Sequence, residues 1–249
     1  MTDKAKQVFD PSKYAGKGTD TIDPSDLGMP FLKILQDGSP EIKRTHPKHE
    51  QAKIDGAEAG DIVYAPEKIL FKKGVRVIPL AVKTVYGEWR PLDQGGGFIG
   101  HHPLSVATDR EDYSREENKE YLGANELVRT TYFCVNFLDE ESNEWKRGVI
   151  AFTSTQLQKA RHWNKMILSF RYKDHKEIKP PIFACSYLLS SKPESNNQGS
   201  WFGWQITQEG VLEDVELLEM ASEGVDHARA ELPAPVEQEA LPEGETEAF

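Results

Sequence analysis

Residues 75–90 read VRVIPLAVKTVYGEWR, and the fold turns on this stretch. It is one long β-rich run of valine, isoleucine, threonine and aromatic residues, with Pro79 and Gly87 as the expected bends. On its C-terminal side lie two further strand-like runs, 129–138 (RTTYFCVNFL) and 145–152 (WKRGVIAF), joined by a polar hairpin loop at 139–144. Thr153, Ser154 or Thr155 can then cap a helix that reaches about Tyr172. Leu157, Ala160, Trp163, Ile167 and Phe170 recur there at helical spacing and give it one apolar face. Pro180-Pro181 stops the helix, 182–190 reads as a strand, 191–200 (SKPESNNQGS) as a loop, and 201–207 as the last strand.

One long strand, two strands, a helix and two strands predict a mainly β chain of a particular kind. It is an OB-like five-stranded barrel with one helix between strands 3 and 4, a fold that takes oligonucleotides on its strand 2–3 face and loops. Those loops would be the polar excursion 91–128, which opens with Gly95-Gly96-Gly97, and the segment 191–200. Working outward, residues 1–27 are polar and aperiodic and read as a flexible arm. Residues 28–212 form the domain, with short apolar runs at 30–35 and 62–64, and 213–249 form an acidic, disordered tail.

Charge separates these parts. The net charge is −11, and residues 213–249 hold 12 acids against one base, Arg229, so the body is neutral. Within it, residues 145–192 carry ten Lys/Arg against Asp174 and Glu177. A basic stretch and an acidic tail on a neutral body suggest that each was placed to meet something. The start carries no signal-peptide core, and no apolar run is long enough to span a membrane. Cys134 and Cys185 sit in apolar runs and read as buried free thiols of a reducing compartment.

Alternation assigns the faces. Phe133, Val135 and Phe137 point to the core, with Ile150 and Phe152; Tyr132, Asn136, Trp145 and Arg147 take the opposite face. On the last strand Phe202, Trp204 and Ile206 point inward and Trp201 outward. Tyr132, Trp145 and Trp201 are therefore the candidate base-stacking residues, since stacking tolerates any base. Arg147, Lys159, Arg161, Lys165, Arg171 and Lys173 are the candidate phosphate contacts. The bland alternatives are core tryptophans and a solvated helix face.

The tail contains Glu243, Glu245, Glu247 and a last Phe249, a polyanion with an aromatic anchor. With this tail, and the segments PFLKILQDGSPEI, GGGFIGHHP and ESNNQGSWFGW, the chain resembles the single-stranded DNA-binding proteins of tailed phages. Ala248 before the last residue and the insertion at 91–128 depart from that pattern. The resemblance implies a non-catalytic protein of DNA replication and recombination in the host-cell cytoplasm, without a cofactor or metal. It coats single-stranded DNA, competes with it through the tail, and docks the replicative DNA polymerase and helicase–primase there. It also allows a homodimer.

Other readings are weaker. Gly95-x-Gly97-x-x-Gly100 lacks the βαβ unit of a dinucleotide site, though a Gly loop leading through Phe98 to His101-His102 could close over a DNA strand. His46-x-x-His49 and His101-His102 could ligate a metal, but without a matching Cys or carboxylate pattern they read as surface residues. Glu41-x-Lys43 and Glu144-x-Lys146 each resemble half of a metal-dependent nuclease site, without an upstream Asp to complete it. An accessory virion protein is the remaining alternative.

Overall fold

A computed structural model describes residues 29–117, 119–197 and 199–233. Eleven strands fall into two sheets. The smaller is antiparallel and joins β1 (Leu32–Ile34), β2 (Ile62–Tyr64) and β3 (Ile69–Phe71), with a short helix α1 (His49–Ala52) between its first two strands. The larger has eight strands and is built on one hairpin-like pair, β4 (Val75–Trp89) and β8 (Asn125–Asp139), in register from Val77↔Phe137 to Trp89↔Glu126. A bulge between Pro79 and Ala81 interrupts that ladder, where proline removes a donor.

The expected five-stranded barrel is not what forms: the sheet is open, and no barrel closes. Two features account for this. The excursion 91–128 is not a loop. It supplies β5 (Phe98–His102), α2 (Val106–Asp109), β6 (Tyr113–Glu116) and β7 (Lys119–Leu122). β5 pairs with β4, and β6 and β7 extend the sheet from β8. At the other end β9 (Glu144–Thr153) pairs with β8, while β10 (Cys185–Asn196) pairs with both β4 and β11 (Gly199–Val211).

Among the described residues β9 and β11 do not pair, because other groups take the bonds that closure would need. The Val149 amide donates to the Pro30 carbonyl at 2.8 Å. The Gln36 side chain takes both backbone groups of Phe202, each at 2.9 Å. Gln156 Oε1 accepts the Trp204 amide, also at 2.9 Å.

One helix covers each face of the large sheet. α3 (Leu157–Ser169) seats Ala160 and Trp163 on the face that carries Phe133, Phe152, Tyr187 and Trp204. Trp163 stacks on Phe133 with ring centroids 4.2 Å apart and planes 10° from parallel. The opposite face is also buried, which alternation alone does not reveal. It carries Leu80, Tyr132, Cys134 and Val149 and is roofed in part by α4 (Val215–Glu231).

Residues 215–231, read from sequence as the beginning of a disordered tail, are therefore a packed helix. Its N-cap is Asp214, whose carboxylate accepts the amides of Glu216 and Leu217. Ala221, Gly224 and Ala228 form its buried stripe. A Cβ at Gly224 would stand 3.0 Å from Arg147 Nη2 and 3.3 Å from Leu80 Cδ1, so the helix comes as close as a glycine allows. The arm, residues 1–27, and the rest of the tail lie outside the described residues. No described helix is long and apolar enough to cross a membrane.

Candidate nucleic-acid interface

Beyond the part roofed by α4, the same sheet face carries a row of rings. Trp89 lies 5.2 Å from Phe98, Phe98 lies 4.7 Å from His101, and His101 lies 5.6 Å from Tyr132, centroid to centroid. Phe31 continues the row 6.5 Å from Tyr132. The row is open at one end: Trp89 is 44% and Phe98 47% exposed, against 8% for Tyr132.

Local sequence builds this row. Gly95, Gly96 and Gly97 all take positive φ, which turns the chain back so that β5 lies antiparallel on β4. The Arg90 amide closes that turn on the Gly97 carbonyl at 2.9 Å. Gly87 pairs with His101 and Val128, and a Cβ there would stand 3.2 Å from Trp89 Nε1 and 3.5 Å from Phe98 Cε2. The two rings thus lie over a strand position that has no side chain.

Polar contacts fix the row. His101 Nε2 and the Tyr132 hydroxyl are hydrogen-bonded at 3.1 Å. Burial, with His102 and Lys83 adding to it, lowers the His101 imidazole below its ordinary value. Burial raises the Tyr132 phenol. Beneath the row, Glu88 is bonded by His102 Nε2 and by Asn125 Nδ2, each at 2.6 Å, with Glu88 and His102 both buried. The Tyr86 and Tyr113 hydroxyls both donate to Glu120, at 2.9 and 2.8 Å. Burial, then the bond to Glu120, pushes Tyr86 up to about 12. This network ties β5, β7 and β8 to β4, so the rings stand on a cross-linked platform.

The residues proposed from sequence fall in three places. Tyr132 is in the row, although it is buried rather than presented. Trp145 and Arg147 share its face at the α4 end: Trp145 is half-buried against that core. Arg147 Nη1 donates to Glu231 Oε1 at 2.9 Å, which engages it with α4 rather than leaving it open to phosphate. Trp201 and Lys159 meet Glu194 instead. Trp201 Nε1 donates to it at 3.1 Å, and Lys159 Nζ lies 2.8 Å from its other oxygen. Burial alone would raise the Glu194 carboxyl, but bonds from Lys159, Gln156 and Trp201 outweigh this and hold it below its ordinary range.

Arg161, Lys165, Arg171 and Lys173 are exposed along and after α3, on the opposite side of the sheet from the ring row. The stacking and cationic residues therefore do not form one surface: Trp145 lies with Arg147 and Trp201 with Lys159, while the other cations stand along and after α3. Glu243, Glu245, Glu247 and Phe249 lie outside the described residues. Sequence reading singled out neither Trp89 nor Phe31, and it gave Phe98 and His101 only as a loop that could close over a DNA strand. The signal for them was the glycine turn between Trp89 and Phe98, which makes 75–102 a hairpin.

The pairs that resembled halves of a nuclease site are engaged elsewhere. Lys146 Nζ lies 2.7 Å from Glu67 and 3.0 Å from Asp139, and Glu41 lies 2.6 Å from Lys33. Among the described residues no three His, Cys, Asp or Glu side chains converge as a metal site requires. His49, with Nδ1 2.8 Å from the Pro40 carbonyl, and His102, bonded to Glu88, are buried rather than surface residues. Cys134 and Cys185 are free and buried, as expected.

In comparison with known proteins, the family model described as Pam3 phage gp34-like protein matches residues 2–231. The match runs through the whole of α4 and stops at its last residue, so this helix is part of the family's unit. No curated protein matches the chain, and no solved structure does.

Proposed function

We propose, on the premise that the chain belongs to the Pam3 phage gp34-like family, that it binds single-stranded DNA without catalysing a reaction. The ring row Trp89–Phe98–His101–Tyr132 carries this reading. Its open end, Trp89 and Phe98, exposes aromatic surface on a sheet cross-linked beneath it, with Lys83 on the same face and Arg90 next to Trp89. Each stacked base contributes roughly 1–3 kcal/mol whatever its identity. With so few cations beside the row, affinity falls with salt less steeply than for a protein that neutralises many phosphates.

The test is fluorescence binding of the full chain to a labelled single-stranded oligonucleotide across a salt series, beside a duplex control. Trp89→Ala should weaken binding roughly 5- to 150-fold, the loss of one stacked base. No binding by the parent protein, or equal affinity for the duplex, overturns the reading.

A second reading is favoured by the exposed apolar side chains of the segment that carries Phe98: Leu92, Ile99 and Leu104. Such a patch also suits a protein partner, as in an accessory virion protein. Self-assembly, or capture of a virion component through Leu92 and Ile99 without DNA binding, favours that reading instead.

A further inference from the structure

β4 leaves one stretch of sheet edge open. On one edge it pairs with β8 from Val77 to Trp89. On the other it pairs with β10 only at Val75–Val77 and with β5 only at Tyr86–Trp89. Between these, residues 78–85 have no strand neighbour on that edge among the described residues, and no described loop bonds to their backbone. Val82 opposes Phe133 and so faces the α3 side of the sheet, where it lines a groove of about 500 Å³. Ile167, Leu168 and Ile182 complete the apolar floor, and Arg171 and Lys179 stand at the rim. Val82 and Leu168 are both exposed there.

The geometry points to this groove as the docking site of a partner protein's extended peptide, with apolar side chains two residues apart and carboxylates flanking them. The peptide adds to the sheet as a strand along the β4 edge. The gap from 78 to 85 is about 27 Å long, room for a strand of ordinary length, and sheets seldom leave such an edge bare. Alternate side chains of an added strand point the same way, so apolar ones two apart seat together on Val82, Leu168 and Ile182. Charge selects the flanks. Residues 161–179 hold six Lys/Arg against Asp174 and Glu177. Among the described residues none of the six meets a carboxylate, whereas Lys159 is held by Glu194 and Glu177 lies against His175. Arg171 Nη1 donates only to the carbonyls of Leu168 and Phe170. A nucleic-acid strand would also answer the cations, but it has no peptide backbone to pair with β4 and no aliphatic side chains for the floor. The groove lies across the sheet from the ring row, so the proposal does not rest on the proposed function.

Fluorescence anisotropy of the full chain with a labelled synthetic peptide, Glu-Glu-Val-Thr-Phe-Thr-Val-Glu-Glu, tests this. The peptide should bind saturably, and Arg171→Glu with Lys179→Glu should weaken it at least tenfold. A peptide with lysine for each glutamate should show the reverse preference between the two proteins. N-methylation of alternate peptide amides removes the strand bonds while keeping charge and side chains, and it should also cost at least tenfold. Benzoylphenylalanine in place of the peptide's phenylalanine should cross-link within residues 164–182 or at Val82. Near-ultraviolet circular dichroism checks the fold of the variant. No saturable binding below about 1 mM, unchanged affinity after N-methylation, or cross-links on Trp89 or Phe98 overturn the proposal. So does displacement of the peptide by a single-stranded oligonucleotide, because the groove then takes nucleic acid. Self-association of the parent protein that Arg171→Glu with Lys179→Glu abolishes overturns it too, because the occupant is then a second copy.

Discussion

Gly87→Val separates the ring row from the stability of the sheet that carries it. A Cβ at residue 87 stands 3.2 Å from Trp89 Nε1 and 3.5 Å from Phe98 Cε2, and the two branches of valine extend further into the same space. Trp89 and Phe98 are nearly half exposed, so they can swing toward solvent rather than force the backbone to move. The steric cost is therefore small. Replacing a strand glycine by a β-branched residue offsets it by up to about 1 kcal/mol, and the melting temperature should stay level or rise slightly.

Binding should respond differently. With the two rings displaced, at least one stacked base is lost. That is roughly 1–3 kcal/mol, or about 5- to 150-fold in affinity for a single-stranded oligonucleotide. Gly210→Val on β11 is the control, since a Cβ there meets nothing within 4 Å. Titration of a labelled oligonucleotide with the three folded proteins decides the matter. Unchanged affinity in a folded Gly87→Val protein would refute the assignment of DNA to this face.

Trp163→Ala should cost about 3–5 kcal/mol in urea unfolding, because it empties the stack on Phe133 beneath α3. Trp163→Phe should cost far less, since buried Nε1 has no hydrogen-bond partner to lose. Asp214→Ala removes the α4 cap and should cost about 0.5–2 kcal/mol, with faster hydrogen exchange in that helix than in β8. Burial pushes the Cys134 thiol up to about 12, with Glu231 adding to it, and Cys185 up to about 11. Above an unfolded thiol value near 9.0 the unfolded chain releases protons that the folded one keeps. Stability attributable to these thiols is thus intact below that pH and falls as pH rises from there toward the folded values, by up to about 1.4 kcal/mol per unit for each thiol. Unfolding at stepped pH reads this, and a disulfide-exchange reagent at neutral pH should find neither thiol until the chain opens.

Strong periodicity was legible in the sequence, and short or polar pairing was not. Phe133, Val135 and Phe137 separate from Tyr132 and Asn136 onto two faces as alternation requires, and Ala160 and Trp163 face the core from α3. What alternation omits is that the second face is covered too. The covering helix uses Ala221, Gly224 and Ala228, which carry little hydrophobic signal, and its exposed side is rich in acids, so composition reads it as tail. β6 reads YSRE and β7 KEYL, and only β7's pairing to β8, with β6 added to β7, makes them strands. The same blind spot half hid the site: the glycine loop through Phe98 to His101 was legible, but its pairing was not. Phe98 and His101 matter because β5 returns onto β4, a tertiary event with glycines as its local mark. Tyr132 was found because it lies on a strand whose period is plain.

The sheet owes its final shape to chain segments that are synthesised far apart. Gln36, near the start of the described residues, holds Phe202 from 166 residues away, and Glu231 returns to Arg147 across 84. Contacts of such range close large loops before they yield anything, so this topology folds slowly for its length. On the ribosome β4, β8 and β9 can pair before α4 and the β11 edge, which have no residues to offer until 199–231 have emerged. Until then the Leu80–Cys134–Val149 face is bare and apolar, the surface on which nascent chains associate.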